Sequence, residues 1–232
     1  IKKNFTFEII FIDDGSTDKT LNKLKNSIKL FLEKDIMVTV KTQNNYGAGS
    51  ARNLGIKYSK FKYIAFLDAD DIWVKNKLQA CHDFILKNPS HNFFSHNERY
   101  IKLDGTISQL TNGLFAFNDI PKSLYIKNTL STSSVILHKD LLNTYGFFDV
   151  SLKSSQDYDL WLKLSPGLKP FHIDLTLGEY IEIEDSITSK YYFFRFLEQL
   201  ILLVCLRYLK QEIGTLKIHS ILRYIGKKKK HA

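Results

Sequence analysis

The sequence contains few of the residues that build disulfide frameworks or metal clusters. Its 232 residues include two cysteines, Cys81 and Cys205, and neither belongs to a C-x-x-C pair or to another ligand spacing. This scarcity argues against a disulfide scaffold and against a structural zinc site. It favours a reducing, cytoplasmic setting.

Long apolar runs and targeting signals are missing as well. No basic-then-apolar signal peptide opens the sequence, and no stretch reaches the roughly 18 consecutive apolar residues of a membrane-spanning helix. No internal repeat or low-complexity linker divides the chain. We therefore expect a soluble or peripheral protein built on one continuous domain.

The composition that is present supports a substantial core and an anionic partner. Hydrophobic residues make up 44% of the chain and aromatic residues 13%, and the formal net charge is +9. A positive charge favours a phosphorylated substrate, a nucleic acid or an acidic membrane surface, and it does not choose among them. No recognised motif or basic helix with interleaved aromatic residues supports a nucleic-acid partner, so we expect none.

Strand-like and helix-like segments alternate over the first 92 residues. The runs "FEIIFI", "IMVTVKT" and "KYIAFLDADD" are typical of strands, and a segment typical of a helix follows each of them. This alternation predicts an α/β fold with an open, mostly parallel mixed sheet flanked by helices. Ligands of such sheets collect at the carboxyl ends of the strands. Residues 93 to 148 are less regular and predict a mixed-sheet extension. The segment "QDYDLWLKLS" predicts a further helix, with Tyr158, Leu160, Trp161 and Leu164 mostly facing inward.

A cluster of carboxylates, Asp68, Asp70 and Asp71, follows the third predicted strand. Carboxylates this close repel one another unless a cation neutralises them, and a hard divalent ion shared with phosphate oxygens would do so. Alternatively, Asp70 caps the following helix and Asp71 occupies its first turn, where negative charge is favoured. The spacing alone does not decide between a metal site and a helix cap.

Three other segments allow two interpretations each. The first is "IDDGSTD", which is rich in turn formers, although Asp14 at a strand end could also accept from a nucleobase or a ribose hydroxyl. In "NNYGAGSARNLG", the glycines allow a close ligand approach, and Arg52 could meet a phosphate or pair with a carboxylate. In "SSQDYDLW", Asp157 and Asp159 lie near a helix start, and one could cap the helix while the other faces a cleft as a general base.

Four segments, taken in order, closely resemble the family 2 glycosyltransferases, which are inverting enzymes with a nucleotide-diphospho-sugar-binding GT-A fold. They are "EIIFIDDGSTDKT", "NNYGAGSARNLGI", "YIAFLDADDIW" and "GFFDVSLKSSQDYDLWLKL". The resemblance covers roughly residues 7 to 190. It implies transfer of a sugar from a nucleotide-diphospho-sugar to the hydroxyl of a glycan or lipid-linked acceptor, in the biosynthesis of a surface polysaccharide, lipopolysaccharide or glycan.

The resemblance also implies roles for individual residues. Asp13 and Asp14 correspond to the donor-binding pair that meets the base and ribose, with Asp14 as the base contact. Asp68 and Asp70 correspond to the D-x-D element at the ribose and diphosphate, and Arg52 joins this donor site. The implied cofactor is Mn²⁺ or Mg²⁺, held by Asp70 and Asp71. The implied general base is Asp157.

Two departures from the family pattern affect these expectations. Gln156 stands where the family usually has Glu, next to the implied base. The chain opens at Ile1, just before the family's second strand, so we expect a truncated member that lacks the first strand and helix. The alternative to an active transferase is a family member with impaired catalysis that only binds nucleotide-sugar.

We expect two parts along the chain. Residues 1–190 form the glycosyltransferase domain, with a donor-binding part at 1–92 and an acceptor-side part at 93–190. Residues 191–232 form a helical appendage that ends in the basic tail "GKKKKHA". The tail suggests peripheral attachment to an anionic inner membrane leaflet.

Overall fold

A computed structural model describes residues 5–113 and 119–184 of the chain. The predicted helical appendage and basic tail lie outside these described residues. The division of the chain at residue 190 therefore stays a prediction.

Eight strands and six helices are found in the described residues. The strands are β1 Glu8–Asp13, β2 Met37–Thr42, β3 Tyr63–Ala65, β4 Ile72–Trp73, β5 Phe93–Ile101, β6 Ile107–Leu110, β7 Ile136–His138 and β8 Pro170–Ile181. The helices are α1 Thr20–Leu32, α2 Ala48–Tyr58, α3 Lys77–Lys87, α4 Ile120–Ile126, α5 Lys139–Tyr145 and α6 Gln156–Leu164. Two short 3₁₀ helices, Thr132–Ser134 and Ser165–Gly167, complete the set.

The strands form two sheets. β1 and β2 pair in parallel, and the second sheet has the order β3-β7-β5-β8-β4 with β6 on β5. The α/β class and the mixed sheet are confirmed, but the expectation of a mostly parallel sheet is wrong. Within the described residues only β1 with β2 and β5 with β8 run parallel, and the other four pairings are antiparallel. Apolar runs covered on both faces look alike in either arrangement, so the pattern of residues does not reveal strand direction.

The third strand predicted from "KYIAFLDADD" is shorter in the structure, where β3 covers only Tyr63–Ala65. β3 pairs with β7, and the chain then turns through the acidic residues before β4 pairs with β8. The acidic segment 68–71 is therefore a loop between two strands of the same sheet. A paired strand therefore flanks the loop on each side, β3 before it and β4 after it.

The main core lies between the sheet and α6. Trp161 is fully buried, and its ring meets that of Phe93 edge to face with centroids 5.5 Å apart. All four residues predicted to face inward on this helix are buried: Tyr158, Leu160, Trp161 and Leu164. Full burial of each large apolar side chain contributes about 1.5–3 kcal/mol, so this packing fixes the start of α6 relative to the sheet.

His96 makes the stability of this fold sensitive to acid. Its side chain is fully buried in β5, and Nδ1 donates to the backbone oxygen of Asn97 at 2.8 Å. Burial, helped by the nearby positive charge of Lys77, lowers the pKa of His96 from 6.5 to about 3. At a pH between about 3 and 6.5, the unfolded chain binds a proton at His96 and the folded chain does not. The contribution of His96 to the free energy of unfolding is thus complete above pH 6.5 and is lost as the pH falls towards 3.

We expect His96→Gln to reduce the pH dependence of stability between pH 7 and pH 5. The parent should lose up to about 1.4 kcal/mol per pH unit through His96 below its unfolded pKa. Urea unfolding at several pH values measures this slope, and His91→Gln serves as the control for loss of a histidine. Equal slopes in the parent and in His96→Gln would contradict the assignment.

Candidate active site

The carboxyl end of β1 carries two aspartates with different surroundings. Asp13 is buried, and its Oδ2 accepts from the backbone N–H of Ser16 at 3.3 Å. Its Oδ1 is also buried and has no hydrogen-bond partner among the described residues. A buried carboxylate oxygen without a donor is costly, so this atom is suited to accept from a ligand.

Asp14 holds the Gly-rich segment that precedes α2. Its Oδ1 accepts from the side chain of Gln43 at 2.6 Å and from the backbone of Tyr46 at 2.8 Å, and its Oδ2 accepts from the backbone of Gly47 at 2.8 Å. Gly15 lets these segments approach closely: its φ is +78°, and an added Cβ would lie 2.9 Å from the backbone nitrogen of Asn45. Three donors thus anchor the loop to one carboxylate.

Arg52 on α2 forms a two-oxygen ion pair with Asp68. Nη2 lies 2.7 Å from each carboxylate oxygen, and the guanidinium carbon is 5.3 Å from the ring centroid of Phe148. Of the two partners considered for Arg52, the structure shows the carboxylate. The pair joins the Gly-rich helix to the acidic loop.

The acidic loop turns sharply between β3 and β4. The backbone N–H of Asp71 donates to the carbonyl of Asp68 at 3.2 Å, and Asp70 between them is exposed. Burial raises the pKa of Asp71 to about 6; the negative charges of Asp70, Asp68 and Glu98 add to this, and the hydroxyl of Ser133 opposes it. The Oδ1 atom of Asp71 has no hydrogen-bond partner in the described part of the chain.

Asp157 lies in the first turn of α6, two residues after a strained backbone position. Ser155, which precedes the helix, has a left-handed φ of 54°, which costs a residue with a Cβ roughly 1–2 kcal/mol. Burial raises the pKa of Asp157, the positive charge of Arg52 lowers it, and the negative charge of Asp68 raises it. Asp157 therefore shares its surroundings with the Arg52–Asp68 pair.

Gln156 has a packing role of its own. Its side-chain nitrogen donates to the carbonyl of Leu152 at 2.6 Å. A Cβ added to Gly49 would lie 3.0 Å from the Gln156 amide, so the start of α2 and the start of α6 are in close contact. A glutamate could not donate to Leu152, which gives the departure from the family pattern a local structural reason.

The structure thus joins the predicted site residues through α2. Asp14 anchors the loop before this helix, Arg52 extends from it to Asp68, and Gly49 packs against the residue preceding Asp157. Within residues 5–113 and 119–184, no three His, Cys, Asp or Glu side chains converge to hold a metal ion. The assignment of Asp70 and Asp71 to a metal stays a prediction.

Several residues that shape the site were not among the predicted site residues. Gln43 belongs to the Asp14 cluster, and Ser133 and Lys77 lie beneath the acidic loop. Their sequence surroundings match ordinary strands, turns and amphipathic helices, so no local signal marks them.

In the described residues, no helix is both long enough and apolar enough to cross a bilayer.

Comparison with known proteins identifies the family. The family model described as "Glycosyl transferase family 2" matches residues 2–146. The chain belongs to this family. The first relatives are longer, and the chain spans 22% to 62% of their length.

Some relatives of this chain have names that state a pathway or an activity. One is the UDP-Glc:alpha-D-GlcNAc-diphosphoundecaprenol beta-1,3-glucosyltransferase WfaP of Escherichia coli, which is 34% identical over 72% of this chain and 62% of its own length. Another is a putative teichuronic acid biosynthesis glycosyltransferase, TuaG of Bacillus subtilis, which is 31% identical over 79% of this chain and 70% of its own length.

Solved glycosyltransferase structures share the fold. TarS of S. aureus in complex with UDP-GlcNAc matches 94% of this chain and 62% of its own with a TM-score of 0.68 at 21% identity. The mannosyltransferase PcManGT of Pyrobaculum calidifontis, solved with GDP-Man and Mn²⁺, matches 94% of this chain and 59% of its own with a TM-score of 0.61 at 13% identity. The predicted GT-A fold is confirmed.

Proposed function

We propose that this chain carries the donor site and the general base of an inverting glycosyltransferase. The donor is a nucleotide-diphospho-sugar, and the acceptor is a hydroxyl of a glycan or a lipid-linked sugar. The observation that carries the proposal is the role of α2, which joins Asp14, Asp68 and the start of the helix that holds Asp157. Three acidic elements from distant parts of the sequence thereby meet at one place.

Relatives support a role in bacterial polysaccharide biosynthesis. WfaP and WfgD of Escherichia coli are named for glucose transfer from UDP-Glc to a GlcNAc-diphosphoundecaprenol, and TuaG for teichuronic acid. A lipid-diphosphate acceptor lies at a membrane surface. This location suits a basic chain, because anionic lipids attract positive charge.

For the donor's base we favour Asp13 over Asp14. Both oxygens of Asp14 already accept from the Gly-rich loop, whereas Oδ1 of Asp13 has no partner among the described residues. A base N–H group is a donor that this oxygen could accept from. Asp14 then acts on the donor through the loop that it holds.

The acidic loop fits a divalent cation through two of its carboxylates. Asp68 is taken by Arg52, but Asp70 is exposed and Asp71 keeps one oxygen without a partner in the described part of the chain. Oxygen ligands of this kind suit Mg²⁺ or Mn²⁺. When bound, such an ion would neutralise charge on the departing diphosphate. The PcManGT complex, which contains Mn²⁺, agrees with this choice.

The chemistry assigned to this chain's own residues is a single displacement. Asp157 accepts the proton of the acceptor hydroxyl while that oxygen bonds to the anomeric carbon. The bond from this carbon to the diphosphate oxygen breaks, and the nucleoside diphosphate leaves with the electron pair. Attack opposite the leaving group inverts the anomeric centre, and the Asp157 carboxyl then releases its proton to water.

Metal-dependent binding of a nucleoside diphosphate tests the donor site. We expect Mn²⁺ to tighten UDP or GDP binding to the parent, and Asp70→Asn to lose most of this gain, in keeping with the 10–100-fold effects seen when metal sites are disturbed. Asp83→Asn is the matched control, since Asp83 is an exposed aspartate on α3. Isothermal titration with and without Mn²⁺ measures the effect. An equal metal-dependent gain in Asp70→Asn would contradict the role of the loop.

A further inference from the structure

A buried serine, Ser133, lies beneath the acidic loop. It belongs to the 3₁₀ helix Thr132–Ser134, more than sixty residues beyond the loop in sequence, and its side chain is fully buried. Neither turn formation nor apolar packing requires a hydroxyl at this position. The hydrogen bonds of Ser133 connect it to the acidic loop instead.

The hydroxyl of Ser133 holds the Asp68 end of the loop. Its Oγ accepts from the backbone N–H of Asp68 at 3.0 Å. The backbone N–H of Asp71 donates to the carbonyl of Asp68 at 3.2 Å, which closes the turn on the residue that Ser133 holds. Asp70 lies within this turn and is exposed.

The backbone carbonyl of Ser133 is fixed by two donors from the far side of the loop. Lys77 Nζ donates to it at 2.7 Å, and Trp73 Nε1 donates at 3.0 Å. Lys77 is fully buried, and its Nζ lies 3.7 Å from the centroid of the Trp73 ring. A buried polar group is costly without a hydrogen-bond partner, so the bond from Nζ to this backbone carbonyl indicates a specific role.

We propose that Ser133 is a positioning residue that holds the loop 68–71, with Lys77 and Trp73 fixing Ser133, so that the Asp70 carboxylate is presented to a divalent cation and the donor diphosphate. The ligand part of this inference rests on the proposed function. The structural part, the tethering of the loop by one hydroxyl, does not depend on any ligand.

The adjacent serine provides a matched control. Ser134 is also fully buried in the same 3₁₀ helix, but its hydroxyl donates to the carbonyl of Ser131 at 2.8 Å, within its own turn. Ser133→Ala and Ser134→Ala therefore each remove one buried hydroxyl from the same short element. Only the first removes a contact with the acidic loop.

Hydrogen exchange of the ligand-free protein tests the tether. Ser133→Ala leaves the amide of Asp68 without its acceptor, so we expect this amide to exchange at least about tenfold faster than in the parent. In Ser134→Ala it should exchange at the parent rate. Equal protection of the Asp68 amide in parent and Ser133→Ala would overturn the proposal, whether or not the protein binds nucleotide.

Titration with UDP, with and without Mn²⁺, tests the consequence for the ligand. We expect Ser133→Ala to reduce the Mn²⁺-dependent gain in affinity by about 10–100-fold and to leave the metal-free affinity at the parent value. A merely structural loss would weaken both affinities together. Retention of the full Mn²⁺-dependent gain in Ser133→Ala would overturn the positioning role.

Two further outcomes are distinguishable. If the parent shows no Mn²⁺-dependent UDP or GDP binding, the proposed function and the ligand part of this inference both fail, while hydrogen exchange still decides the tether. If Ser133→Ala does not fold, Lys77→Met replaces it, because this change removes the 2.7 Å bond to the Ser133 carbonyl and keeps the hydroxyl. Lys77→Met should then show the same selective loss of the Mn²⁺-dependent gain, and parent-like binding by Lys77→Met would overturn the proposal.

Discussion

Replacing Asp157 with asparagine is expected to slow sugar transfer by about 10²–10⁴-fold while donor binding stays near the parent level. The amide has nearly the same shape as the carboxylate but cannot take the proton of the acceptor hydroxyl. The measurement is transfer of labelled sugar from UDP-glucose to a GlcNAc-diphospho-lipid, together with titration of UDP. Parent-rate transfer by Asp157→Asn would refute its role as the base.

Asp159→Asn is the control for this experiment. Asp159 lies on the same helix and is buried, and its carboxylate is 2.5 Å from Lys163 Nζ. Residues two positions apart on a helix face different directions, so this change should lower stability without a selective loss of transfer.

The activity should also depend on pH through Asp157. Burial raises the pKa of Asp157, so we expect activity to fall with decreasing pH as the base is protonated, and this fall should start above the ordinary aspartate pKa of 3.8.

The same experiment separates an active enzyme from a family member that only binds nucleotide-sugar. The alternative rests partly on Gln156, which stands where the family usually has Glu. In the structure its amide donates to the carbonyl of Leu152 and packs against Gly49. Asp157 itself remains beside Arg52, whose charge favours the ionised form of the base. Nucleotide binding without any transfer by the parent would support the alternative.

Local patterns predicted much of the framework of this site. The strand, turn and helix order placed Asp13 and Asp14 at the end of β1, and the apolar spacing around Trp161 predicted the inward face of α6. These features depend on neighbours in sequence, which is why they can be inferred from it. A mixed-sheet extension after residue 92 was predicted, but strand direction depends on which distant strands pair, and the expectation of a mostly parallel sheet was wrong.

The partners of the acidic residues could not be predicted for the same reason. Asp14 is bonded to residues 29 to 33 positions away, and Ser133 contacts the backbone of Asp68 across 65 positions. Such side-chain-to-backbone bonds form only after the tertiary structure has brought the segments together. Composition and spacing identified the carboxylates, but they did not predict the three donors that Asp14 binds, and its assignment to the nucleobase stays a prediction.

Asp14→Ala is accordingly expected to release the loop 44–47 even when no nucleotide is present. The change removes three partly exposed hydrogen bonds at a cost of about 1 kcal/mol each, because each such bond is partly replaced by water. The amides of Tyr46 and Gly47 should exchange faster, and the affinity for UDP should fall by about tenfold through loss of loop order.

The contrast with Asp14→Asn tests the physical cause. An asparagine keeps one oxygen that can accept from Gln43 and Tyr46, but its amide group would face the N–H of Gly47, so we expect an intermediate effect on exchange and affinity. A direct contact with the nucleobase predicts something else: Asp14→Ala would weaken UDP binding and leave the two loop amides protected. Unchanged exchange of the Tyr46 and Gly47 amides would support Asp14 as the contact of the nucleobase. Faster exchange would support the role of Asp14 in holding the loop and would favour Asp13 as the acceptor for the nucleobase.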